Sequence, residues 1–230
     1  MSIWRRRLAA LAAALLPQDC LLCGGGTASG LLCPRCREEL PTATGAACPV
    51  CADASPGGIC GACLKHPPRF DGTRMAFAYG FPIDKLIQAL KYQHRLAVAG
   101  FFAEALLAGP HPDGDLIVPL PLSEQRLRQR GFNQAVEIAR PLARAHGRRL
   151  QLGGIGRRID TPPQAMLPWQ ERRRNVRHAF ECALDLSGMK IIVVDDVMTT
   201  GATLDEFART LKAAGAVQVT NWVAARARRN

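Results

Sequence analysis

The pattern of apolar and polar positions changes partway along the chain. From Met75 onward, apolar runs fall at roughly 73–80, 116–121, 179–184, 190–195 and 217–225, and helical spacing fills about 83–108, 133–146 and 203–214. Alternation of this kind predicts an α/β fold with a largely parallel sheet covered by helices. Ligands in such folds sit at the carboxyl ends of the strands. Before Met75 the chain instead carries eight of its nine cysteines.

The opening residues, MSIWRRRLAALAAALLPQDC, set a basic cluster before a short apolar run and so mimic a signal peptide. No small-residue cleavage site follows, the run is too short to span a bilayer, and metal-type cysteines begin at once. An amphipathic helix over residues 1–17 is the expectation. No transmembrane segment is found elsewhere, so a soluble, cytoplasmic protein is expected.

A chain of 230 residues with 48% hydrophobic content can bury a packed core, as one domain or as a domain with a small appendage. Its net charge of +11 favours polyanionic partners or phosphorylated ligands. The surplus is concentrated: between Arg126 and His178 stand thirteen arginines and three acids, Glu137, Asp160 and Glu171. Arginine suits bidentate phosphate contacts, although a solvated basic surface gives the same composition.

Eight of the nine cysteines form four CxxC pairs, Cys20/Cys23, Cys33/Cys36, Cys48/Cys51 and Cys60/Cys63. Such spacing suits two small ribbons, each closing a tetrahedral four-cysteine zinc site. Disulfides and redox chemistry at one pair are the competing readings, disfavoured by a reducing cytosol and the repeated spacing. Whether the pairs join sequentially or crosswise is open. With four ligands and no open position, two structural Zn ions are expected.

The segment IIVVDDVMTTGATL runs from Ile191 to Leu204. Four apolar residues read as a buried strand, with Asp195 and Asp196 emerging where it ends. Thr199, Thr200, Gly201, Ala202 and Thr203 then turn into a helix, whose free amides favour a phosphate. The two acids are suited to vicinal ribose hydroxyls or, through water, to Mg2+. The segment resembles the signature of type I phosphoribosyltransferases. That resemblance implies that Asp195 and Asp196 hold the ribose of phosphoribosyl pyrophosphate and that Thr199 to Thr203 hold its 5-phosphate.

A second strand, LIVPLPLS, precedes EQRLRQRGFNQ, which brings Arg126, Arg128 and Arg130 close behind it. Gly131 and Asn133 suit a turn or cap, and Asn133 or Gln134 could bond a ligand. The block at 157–180, RRIDTPPQAMLPWQERRRNVRHAF, is long, polar and broken by three prolines and reads as a mobile loop or as an ordinary surface hairpin; the resemblance to the transferases implies a segment that closes over the substrate.

With RGFNQ, TPPQ, the DD-TTGAT segment, the ALKYQHRLA stretch and the cysteine head, the chain resembles the ComF family of competence-associated proteins. The resemblance implies a double zinc ribbon at 18–68 and a type I phosphoribosyltransferase-like domain at 69–230. It also implies a role in cytoplasmic handling of single-stranded DNA, with a DNA-uptake helicase as a partner. Lys91 and Arg130 are the expected catalytic helpers if phosphoribosyl transfer occurs, with Mg2+ accompanying phosphoribosyl pyrophosphate; Lys91 as a plain surface lysine is the alternative. Nothing in the sequence identifies an acceptor.

Overall fold

The computed structural model describes residues 18–27, 30–42, 45–158 and 176–228. The helix expected over 1–17 and most of the 157–180 loop lie outside these residues.

The head is built from small hydrogen-bonded turns. A two-stranded antiparallel ribbon, β1 (Gln18–Asp19) with β2 (Gly26–Thr27), carries the first cysteine knuckle. Each of the two later knuckles opens a five-residue helix, α1 (Pro34–Glu38) and α2 (Gly61–Lys65), with Cys33 and Cys60 at their N-caps. The second cysteine of each of these pairs, Cys36 or Cys63, therefore sits in the first turn of the helix that the first one caps.

The body is a five-stranded, all-parallel sheet in the order β3 (Gly72–Ala78), β9 (Gln218–Arg226), β8 (Lys190–Met198), β4 (Leu116–Pro119), β5 (Arg149–Leu150). Buried strands covered on both faces have no need of polar alternation, which is why Ile191 to Val194 read as one apolar run. Ile192 and Val194 face one layer with Phe77, Ile117 and Trp222, against α3 (Ile83–Tyr92), α4 (Ala97–Ala108) and α6 (Gln134–His146). Ile191 and Val193 face the other with Leu116, Val118 and Val223, against α7 (Ala202–Ala213). The remaining strands, β6 (Ile155–Arg157) and β7 (Phe180–Cys182), pair antiparallel outside the main sheet.

Three local expectations change. The helical spacing over 83–108 is two helices, broken at His94, which takes a left-handed φ of 55°. The apolar run at 179–184 joins the small β6–β7 pair and not the parallel sheet. Strand β8 does not end before the acids: its pairing with β9 continues through Asp195↔Val223 to Met198↔Arg226.

The head closes an edge that would otherwise be open. β3 is the outer strand, and Thr73 N donates to Pro49 O at 3.2 Å while Ala78 N donates to Pro41 O at 3.0 Å. No helix among the described residues is long and apolar enough to cross a membrane.

Candidate functional site

Parallel topology gathers the carboxyl ends of β8 and β4 at one end of the sheet, where a cleft of about 510 Å³ opens. Its floor is Asp195 to Thr199 of β8 and the following loop, with Gly201 and Thr203 at the start of α7. One wall is the last turns of α3, bringing Gln88, Lys91 and Tyr92. The opposite wall is the Leu120–Leu122 loop with Arg126 and Arg130 from α5 (Glu124–Arg130), and Arg157 of β6.

Asp196 is buried, and its Oδ2 lies 2.6 Å from Lys91 Nζ. Asp195 and Asp196 each fold a carboxylate oxygen onto the next backbone amide, both at 2.9 Å. Burial, together with the negative charge of Asp196, holds the Asp195 carboxyl well above the ordinary carboxylate range, and the Lys91 charge only partly opposes this. Two carboxylates at one strand end also offer the hard oxygen donors that Mg2+ prefers.

The loop's shape depends on Gly201, which is left-handed at φ 83° and is the N-cap of α7. A Cβ there would stand 2.7 Å from Met198 Cε. The first amides of α7 have no partners within the helix and so carry a partial positive charge toward an anion. The residues of the sequence-predicted loop border two cavities, with Gly201 lining both. Thr199, Gly201 and Thr203 line the main cleft, whereas Thr200 and Ala202 line a smaller cavity of about 270 Å³ on the far side, with Lys65, His66 and Phe70.

The RGFNQ stretch builds the arginine wall by capping. Gly131 ends α5 in the left-handed region, φ 74°, and Asn133 Oδ1 caps α6 by accepting from Ala135 N at 2.9 Å. Asn133 Nδ2 donates to Leu120 O at 3.0 Å, which ties α6 to the loop after β4. Arg130 Nη1 donates to Gln134 Oε1 at 3.1 Å, and the same guanidinium lies 5.6 Å from the centre of the Tyr92 ring. Lys91 and Arg130 therefore face one cleft from opposite walls. Asn133 is used at both ends of its amide in holding that wall, whereas Gln134, which also lines the cleft, engages only Oε1 and leaves its buried Nε2 without a hydrogen-bond partner among the described residues. Tyr79 and Gln88 were not anticipated as lining residues; Gln88, one helical turn before Lys91 on the same face, carried the clearer signal.

The eight paired cysteines form two groups, Cys20, Cys23, Cys33 and Cys36, and Cys48, Cys51, Cys60 and Cys63, whose ligand atoms lie within 4.8 Å of one another. The pairing is thus sequential. Cys23 Sγ to Cys33 Sγ is 3.9 Å and Cys51 Sγ to Cys60 Sγ is 3.6 Å, well beyond a disulfide length of about 2.05 Å. Both match the edge of about 3.8 Å in a tetrahedron of sulfurs bonded to zinc at about 2.3 Å. The donor sets fit two structural zinc ions, which would lock each knuckle and supply no reactive position.

Comparison with known proteins gives the same two parts. A double zinc ribbon domain matches residues 11–68, and a phosphoribosyl transferase domain matches residues 133–229. The chain is 32% identical over 212 residues to DNA utilization protein YhgH of Escherichia coli (strain K12), covering 88% of each chain. It is 29% identical over 222 residues to Competence protein F of Haemophilus influenzae, covering 90% of this chain and 96% of that one. With Competence protein ComFC of Bacillus subtilis it shares 29% identity over 148 residues, 60% of this chain and 57% of that one. The chain belongs to the ComF family, in which a double zinc ribbon is joined to a phosphoribosyl transferase domain.

Proposed function

We propose that the protein binds a phosphoribosyl pyrophosphate-type ligand with Mg2+ in the cleft and assists the cytoplasmic handling of single-stranded DNA during natural transformation. The observation that carries the ligand reading is the convergence of Asp195 and Asp196, Thr199, Gly201 and Thr203, and Lys91 and Arg130 on one cleft. The carboxylates accept from the ribose hydroxyls, the loop amides take the 5-phosphate, and the cations of the two walls take the pyrophosphate. Thr200 and Ala202 support the loop from behind.

The DNA reading draws on the names of the relatives, a DNA utilization protein and two competence proteins, and on the arginine surplus between Arg126 and His178. With only 6% aromatic residues, strand binding rests on phosphate contacts more than on base stacking, so a DNA-uptake helicase is the kind of partner that would deliver the strand.

Calorimetry with Mg2+ and phosphoribosyl pyrophosphate tests the ligand reading. Replacing both acids, Asp195→Ala with Asp196→Ala, is expected to weaken binding by about a hundredfold or more, since each hydrogen bond to a charged group contributes about 1.5–3 kcal/mol. Equal binding by this variant and the wild type refutes the site. Labelled single-stranded DNA that binds with no dependence on salt refutes the arginine surface, because phosphate contacts release counterions.

The arginine wall of the cleft that holds the carboxylates favours a second reading, Mg2+-dependent phosphoribosyl transfer with release of pyrophosphate. Lys91 and Arg130 would then stabilise the departing charge, with the rate coming from positioning. Release of pyrophosphate on adding an acceptor base is its test.

A further inference from the structure

Arg226 closes β9 within a basic C-terminal tail, yet it is only 2% exposed. Its guanidinium lies between the second cysteine group and the phosphate loop. Nε donates to Cys51 O at 2.9 Å, and Nη2 lies 3.7 Å from Asp53 Oδ2. On the other side Nη1 donates to Met198 O at 3.3 Å and also to Thr199 O and Ala227 O. Cys51 is a ligand-type cysteine and Asp53 follows it in the same turn, which is closed by Cys48 N donating to Asp53 O at 2.8 Å. Met198 and Thr199 are the residues at which β8 becomes the loop.

A buried guanidinium is tolerated only while its partners stay in place, because an uncompensated buried charge costs several kcal/mol. The knuckle and the loop therefore share one cation and cannot shift independently. Apolar packing carries the same asymmetry. Cys48, Cys51 and Cys63 belong to the hydrophobic cluster that contains Phe70, Met198 and Leu204, beneath and beside the loop. Cys20 of the first group packs into the opposite cluster, with α3, α4 and α6.

We infer that Arg226 is a positioning residue through which the second four-cysteine site, and not the first, holds the phosphate loop in its binding shape. Bound zinc fixes the turn from Cys48 to Asp53, the turn fixes the Cys51 carbonyl and the Asp53 carboxylate, and Arg226 carries that constraint to the carbonyls of Met198 and Thr199. The functional weight of this coupling rests on reading Thr199 to Thr203 as a phosphate loop; the coupling itself is a property of the ligand-free protein.

Hydrogen–deuterium exchange of the full-length zinc-loaded protein, followed at the amides of residues 198–203 without any ligand, tests it. Cys60→Ser, which opens the second site, is expected to speed exchange there at least tenfold, and Cys23→Ser, which opens the first, to leave it within twofold. Arg226→Lys keeps the charge and loses the fork, so it should retain two zinc ions per chain by metal analysis and still speed exchange. Adding Cys60→Ser to Arg226→Lys should then cause little further change, since both remove one linkage. A purely structural arginine gives additive effects. If Arg226→Lys does not fold, Asp53→Asn, of the same size, takes its place in the cycle. Unchanged exchange in Cys60→Ser, an equal rise in Cys23→Ser, or additive effects overturn the inference. A failure to bind phosphoribosyl pyrophosphate in calorimetry removes the ligand reading alone and leaves these exchange results standing.

Discussion

Lys91 Nζ sits 2.6 Å from Asp196 Oδ2, so the last turn of α3 and the end of β8 are bridged by an ion pair inside the cleft. Both side chains are largely buried, 19% and 10% exposed, so water screens the pair less than it would a surface bridge. The Asp196 carboxylate is thereby held in place by a cation that lines the same cleft.

Two roles for Lys91 separate by ligand. If the ammonium serves mainly the pyrophosphate, Lys91→Met weakens phosphoribosyl pyrophosphate binding by about tenfold, roughly 1.4 kcal/mol, and changes ribose 5-phosphate binding by less than about threefold. Calorimetry with both ligands measures this. A plain surface lysine would move neither affinity.

Glu206 gives the fold a pH dependence away from the cleft. Its carboxylate accepts from His178 N at 2.8 Å and from Arg209 Nη2 at 2.7 Å, anchoring the chain just after the arginine-rich segment onto α7. Burial alone would raise its pKa, but Arg209 and the His178 amide outweigh burial and lower it. A carboxyl with a lowered folded pKa contributes stability that is fully present above its unfolded value, near 4.3, and is lost as pH falls through the folded value. Glu206→Gln should therefore lower stability by about 1–2 kcal/mol at pH 7 and converge on the wild type only once pH has fallen below the lowered folded value. Thermal unfolding at the two pH values checks it; a gap of constant size would show that the charge is not responsible.

The two metal sites differ in access, and their release kinetics should show it. Cys23 is exposed and Cys33 and Cys36 are half-buried, whereas Cys48, Cys51 and Cys63 are each at most 4% exposed. A colorimetric chelator should remove two zinc ions per chain in two phases, the first site faster. Cys23→Ser should then abolish the fast phase and keep the slow one. Loss of the slow phase instead would reverse the assignment.

The cysteine groups, the paired acids and the glycine turn were legible in the sequence because their chemistry is local: spacing alone sets a knuckle, and no other residue suits φ 83° as Gly201 does. The end of β8 was not. Asp195 and Asp196 look like loop residues by polarity, but their backbone groups lie in register with β9, and ladder pairing does not depend on side chains. The helix break at His94 has no proline or glycine to announce it. Arg226 was hidden for the opposite reason: among the arginines of ARARRN it resembles a solvated tail, and only the tertiary fold places it against the Cys48/Cys51 knuckle.

Gly201 offers the most direct mutational test of the loop. Gly201→Ala forces a left-handed backbone onto a residue with a Cβ, at a cost of about 1–2 kcal/mol. The new Cβ would also meet Met198 Cε at 2.7 Å, but that is the free end of a flexible side chain and can swing aside, and the Phe70 ring at 3.7 Å is ordinary contact. Backbone strain therefore decides the outcome. The expected loss is a few degrees in Tm, at about 2–4 °C per kcal/mol for a chain of this size. If the loop escapes the strain by leaving φ 83°, the amides at the start of α7 turn away and phosphate affinity falls further than stability does. Thermal unfolding and calorimetry with ribose 5-phosphate, run on the same preparation, separate the two effects. Unchanged affinity with reduced Tm would show that the turn supports the fold without shaping the site.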